Sequence, residues 1–529
     1  MTIRQYRSVR QLPYSILSNC EDGFSEQLHA QAILLLSVSL TSGTGTTRDA
    51  YIPPPHYFSF LATLAVHPLL TTRTTDTAKQ AIADYALRYL RHLIKLVGPK
   101  NAELDQAFRF TEAKRHAGSR NKRVKSPNSA GPEDGLQVDP DVIKSTYATS
   151  ESLWSNADDF WNIVGWAFNC SVAYPTRWRR WKVWLEMMLD VLEIDLERHA
   201  KDGTVPQSMF AQYLAPFSDA GRNSKRNLMR ALLADGKQKS LNEFGEIWQN
   251  ETKAPKKAKD EDVVRKRKRN DLDLENGDFG DYGDESSDED SITAASGRRS
   301  RSATAKPSRA ASPNEDGDSQ MRDVESIGID AFGGPSSLHI RGRLVALLVR
   351  LCSLDPAGAI FLDVEELFDL LTEFIRPLPL AVFEYFVCPP QHYLDANAQS
   401  SLVQMLLRPL FQGSGAPNYD ENTLTQEVFE TCFAPFPAGT TSASDNAKVS
   451  VAIESLLRLL WRNGGLVARQ SLGDAVRQGI KARKDKVAWD GRRRVGVKAL
   501  EEETAVEVLE CSVERMESIL ELVCRSGAL

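Results

Sequence analysis

Residues 265–291 read RKRKRNDLDLENGDFGDYGDESSDEDS, and this stretch decides how the rest of the chain is read. It opens on five consecutive cations. The acidic residues Asp271, Asp273, Glu275, Asp278, Asp281, Asp284, Glu285, Asp288, Glu289 and Asp290 follow, with no Lys or Arg among them. Ordering a residue costs about 1–2 kcal/mol, and the sparse apolar side chains between 251 and 335 cannot offset that cost. The expectation is a long disordered charged linker over 251–335, with one helical lobe on each side, at 1–250 and 336–529.

The flanks carry the opposite pattern. In 77–97, Ala81, Ile82, Tyr85, Ala86, Leu90, Leu93 and Ile94 recur at three- and four-residue steps, the signature of one helix face. Apolar segments at 25–40 and 57–70 precede it, and 209–233 and 241–248 predict further helices. Beyond the linker, helical periodicity marks 337–354, 399–411, 424–433, 446–462, 473–485 and 498–524. Asp363 with Glu366 has the spacing of a helix N-cap, and Pro377 and Pro379 close the helix it starts. Strand alternation with hairpin turns is absent. The fold class read from this pattern is all-α, with two multi-helical lobes, irregular solenoid-like or bundle, and no fixed repeat period. Residues 108–139, polar and rich in basic side chains, read as a loop insertion in the first lobe.

The totals agree with a chain that buries substantial cores. It has 529 residues, a hydrophobic fraction of 42% and a net charge of −6 that conceals segregated blocks of both signs. The seven cysteines are dispersed with no C-x-x-C spacing, as expected of reduced thiols. Residues 1–15 lack the apolar core of a secretory signal, and the run 33–40 is far shorter than the roughly 20 residues of a membrane span. No membrane association is expected.

Six of the nine tryptophans fall between 154 and 184. Pro175 suits a first helical turn. Trp181, Trp184, Leu185 and Met188 then form an apolar stripe, and Trp178, Trp181, Trp184, Leu185 and Met188 are the expected anchors for a partner helix. Arg177, Arg179, Arg180 and Lys182 share the start of that helix, where cations oppose the macrodipole. With Trp178 as a stacking platform they form a candidate nucleic-acid contact. Arg483, Lys484, Arg492, Arg493 and Arg494, around Trp489, form a second such candidate.

Lys256 and Lys257 upstream of Arg265, Lys266, Arg267, Lys268 and Arg269 have the two-cluster form read by nuclear import receptors. Ser286 and Ser287, each with an acidic residue three positions later, are candidate sites for an acidophilic kinase. Ser312, followed by Pro313, is a candidate proline-directed site.

No catalytic constellation emerges. Gly43 and Gly45 lack the following Lys of a phosphate-binding loop, and none of the eight histidines falls in a metal-binding motif. No cofactor or metal is expected. The function expected is therefore a non-enzymatic nuclear scaffold or adaptor that binds protein partners through apolar helical grooves, in a chromatin-maintenance or ribosome-assembly setting. A DNA- or RNA-binding factor using 177–182 and 477–498 is the alternative, and an unrecognised helical hydrolase is the third reading.

Overall fold

The computed structural model describes residues 6–45, 48–110, 143–218, 221–255, 328–417, 419, 423–488 and 497–526. The import-like clusters from Lys256 to Arg269, the candidate phosphosites Ser286, Ser287 and Ser312, and Arg492, Arg493 and Arg494 lie outside them. So do most of the basic insertion and of the linker.

The all-α expectation holds. In the first lobe, the helices of eight residues or more are α1 Tyr14–Ser25, α2 His29–Thr41, α3 His56–Val66, α4 Thr77–Leu96, α5 Phe160–Ala173, α6 Pro175–Asp202, α7 Met209–Ser218 and α8 Arg222–Leu232. In the second they are α9 Gly334–Leu354, α10 Val364–Ile375, α11 Leu380–Val387, α12 Ala396–Leu410, α13 Ala443–Arg462, α14 Gln470–Ala488 and α15 Val497–Ser526. Local chemistry sets their ends. Aspartates cap α4, α5, α10 and α12, each accepting from a backbone N–H of the first turn, as Asp363 does from Glu366 at 2.8 Å. Pro175 occupies the first turn of α6, and Gly203, in the left-handed region at φ 70°, ends it.

The sequence reading missed α1, and it missed a pair of three-residue parallel strands, β1 Val9–Gln11 and β2 Ala50–Ile52, paired in register Val9 to Ala50. Three residues are too few to show an alternation. The segment 424–433 is a short helical turn, Gln426–Val428, running into a π-helical turn, Phe429–Phe433.

Each lobe is built around one helix buried on nearly every side. In α3 all residues except His56 and Ser59 are buried, so no face is left for water. The second lobe wraps α11, α12, α14 and α15 around α13, whose buried residues include Glu454 and Lys448 as well as Leu456 and Ile453. At 28 residues, α6 is about 42 Å long and packs against α3, α4, α5 and α7 in its own lobe and α9 in the other.

Composition leaves room for two separate cores. Most buried apolar side chains of both lobes instead join in one contiguous cluster, and Met1–Pro255 with Ser326–Leu529 form one compact unit. The joint is polar at its edges and buried at its centre. Arg343 of α9 meets Glu193 of α6 through two nitrogens, at 2.9 and 2.8 Å, and Asp190 at 2.8 Å. Arg226 of α8 pairs with Glu373 of α10. Between them Arg341, fully buried, donates to the backbone carbonyls of Leu232 at 2.6 Å and Ala234 at 2.7 Å, with its guanidinium 3.9 Å from the centre of the Phe168 ring. Burial draws its pKa down to about 9. Gly333, at φ 79°, lies so close to Ser171 that any side chain there would collide with it.

Candidate partner-binding surface

The tryptophan segment folds inward, which corrects the expected anchors. Trp178 is 7% exposed, and Trp181, Trp184, Leu185 and Met188 are fully buried. None has a face left for a partner. An apolar stripe at helical spacing is satisfied equally by a core or by a foreign helix, and here α3, α5 and the 244–251 segment supply the covering surface.

The hub of this cluster is a residue assigned above to the linker. Glu251 is completely buried. Its Oε1 accepts from the indole nitrogens of Trp166 and Trp181, both at 2.9 Å, and from Arg177 Nε. Its Oε2 accepts from the backbone nitrogens of Ile247 at 3.2 Å and Trp248 at 3.3 Å. Arg177 Nη1 continues the network to Thr71 Oγ1 at 3.0 Å, and the Arg177 guanidinium packs over the Trp181 and Trp248 rings. A buried carboxylate this densely hydrogen-bonded holds its segment in place, so 251 belongs to the first lobe and not to a linker. On the other side, ahead of the expected 336, Gly328–Phe332 forms a 3-10 helix in which Phe332 is buried.

His67 lies beside this hub. Its Nδ1 accepts from Leu69 N, which places the ring proton on Nε2, 3.2 Å from Glu151 Oε2. Burial lowers its pKa to about 4, against the opposing pull of Glu151.

The first basic candidate does not form one phosphate-binding face. Arg177 is enclosed with Glu251, Arg180 pairs with Asp84, and Lys182 reaches Glu186 at 3.9 Å, while Arg179 is exposed. In the second, Arg483 is fully buried and its Nη1 donates to the carbonyls of Ala434 and Phe436, at 3.3 and 3.2 Å. Burial lowers its pKa to about 9. Lys484 points to solvent. Neighbouring residues on a helix point about 100° apart, so a run in sequence is not a patch in space.

The apolar surface that does reach water lies on α2. This helix contains no charged residue, and its inner face, with Ile33, Leu36 and Leu40, is buried against α1, α4 and β2. On the outer face Leu34 is 46% exposed, Leu35 36% and Val38 66%. The hydroxyls on this helix make little demand on water. Ser37 donates to Ile33 O at 2.7 Å, Ser39 to Leu35 O at 2.9 Å and Thr41 to Ser37 O at 2.8 Å. Sequence reasoning found the apolar run 33–40 but could not see that half of it faces out, because a helix apolar on all sides is ordinarily interior.

Among the described residues no group of three His, Cys, Asp or Glu side chains stands close enough to hold a metal ion, and no helix is long and apolar enough to cross a membrane. No protein-family model and no curated protein matches this chain.

Proposed function

We propose that this protein is a non-enzymatic adaptor of a nuclear complex, and that the outer face of α2 seats an apolar stripe of a partner helix. The observation that carries the reading is the charge-free surface of Leu34, Leu35 and Val38 on a helix whose inner face is already packed. Leaving such side chains in water forgoes roughly 25 cal/mol for each Å² of apolar area that a partner would cover. The nuclear setting rests on the basic clusters from Lys256 to Arg269. Import receptor and complex subunits are its expected partners.

A photo-crosslinking amino acid placed at Val38 of the full chain, in cells, tests the reading. A discrete adduct recovered from the nuclear fraction, and lost when Leu34→Glu is added, is the expected result. An absence of adducts, or adducts insensitive to Leu34→Glu, rejects it.

A further inference from the structure

A cleft of about 440 Å³ opens in the second lobe, where the end of α11 meets α13 and α15. Volumes of this order are typical of ligand sites. Its apolar lining includes Val387, Leu459 and Ile519, and Trp461, 41% exposed, stands beside them. Its charged lining is all basic: Arg458 and Arg462 of α13 and Arg515 of α15.

Two of these cations are already committed. Glu454, buried behind the cleft, receives Arg515 through Nε at 2.7 Å and Nη2 at 2.9 Å, and Arg458 Nη2 at 2.6 Å. Arg515 also reaches Glu384 at 3.1 Å. Arg458 and Arg515 are thus balanced by Glu454 and Glu384, and the positive charge of Arg462 is left over. Its hydrogen-bond partner is His392 Nε2. An imidazole nitrogen that accepts this bond is neutral, and it supplies no counter-charge. Arg458 and Arg462 stand one turn apart on α13, so their forks project over the same opening.

We propose that this cleft binds a phosphorylated serine or threonine in a segment of a protein partner, its phosphoryl group held by Arg462 and Arg458 and an apolar neighbour seated between Leu459, Ile519 and Trp461. A phosphoryl group brings three acceptor oxygens and close to two negative charges, enough to engage both arginine forks. A carboxylate matches only one. The apolar floor distinguishes the site from a bare phosphate-backbone contact, which would need only the rim. The site extends the adaptor reading to a second surface and depends on it only in that the ligand is a protein. Cross-linking at Val38 tests α2 and the assay below tests the cleft, so either can fail alone.

The test is fluorescence anisotropy with the full chain and two fluorescein-labelled ten-residue peptide pools, randomised at the flanks and carrying central phosphoserine or serine. Saturable binding of the phosphoserine pool, at least tenfold tighter than the serine pool and weakened at least tenfold by Arg462→Gln, is expected. Arg462 is exposed and outside the Glu454 cluster, so the variant keeps its fold, which circular dichroism checks. Equal binding of the two pools, or binding unchanged in Arg462→Gln, overturns the proposal. So does a single-stranded oligonucleotide that binds more tightly than the phosphoserine pool and loses affinity in the same variant.

Discussion

Arg177 and Glu251, 74 residues apart in the chain, meet as a fully buried ion pair in which the carboxylate also receives two indole and two backbone N–H groups. The pair pins the 247–251 segment of the first lobe to the N-terminal turns of α6. Removing one member leaves the other charged, enclosed and short of partners.

Glu251→Gln is therefore expected to destabilise the protein by about 3–5 kcal/mol, since the replacement cannot neutralise Arg177. Urea denaturation of the full chain measures it. Arg179→Gln, on the exposed side of the same helix turn, should change stability by less than about 0.5 kcal/mol.

Arg341→Met should loosen the joint between the lobes. It strands the carbonyls of Leu232 and Ala234, each at a cost of about 1–3 kcal/mol. Hydrogen exchange should accelerate at 230–236 and 333–345 together while the core of α13 stays protected. Faster exchange on one side only would show that the joint does not act as a unit.

Gly333→Ala is predicted to act in the same place by another cause. A side chain there meets Ser171 and sits at a positive φ, so both strain and collision oppose it. The thermal midpoint should fall, and adding Ser171→Gly should recover part of the loss by removing the collision but not the strain.

Acid should weaken the fold through its buried histidines. The pKa of His67 is about 4 in the folded protein, against 6.5 for an ordinary histidine. The unfolded chain takes up this proton first. Stability is thus complete above about pH 6.5 and falls as pH drops toward 4, by an amount on the order of 3 kcal/mol from this group. His29, His339 and His392 are shifted the same way by burial and add to the slope. Melts at pH 7 and pH 5 measure the total, and the pH dependence should be shallower in His67→Asn.

Arg483→Ala should cost about 1–3 kcal/mol by leaving the Ala434 and Phe436 carbonyls without their donor, whereas Lys484→Gln should be neutral. Chemical denaturation separates the two neighbours, which a single basic patch would not.

Helices were legible wherever their periodicity was long and their caps explicit, as in α4 and α10. The three-residue strands and the π-helical turn carry no period to read. The functional surface was harder. Trp181 and Trp184 have the composition of a binding hot spot, yet their indoles complete the interior, because a side chain's size says how much area it covers and not whose. Glu251 looked like the first residue of a polar run. Nothing local distinguishes it from its acidic neighbours downstream, since its partners come from α5, α6 and the turn before it. The exposed half of α2 and the unmatched charge of Arg462 are likewise properties of assembled surfaces.

The Arg341, Arg343 and Arg226 contacts join residues before 256 to residues after 327, so the packing that unites the lobes is distinct from their covalent connection. Produced as separate polypeptides, 1–255 and 326–529 would keep the shared apolar core together with the Arg341, Arg343 and Arg226 contacts, and they should recombine on mixing.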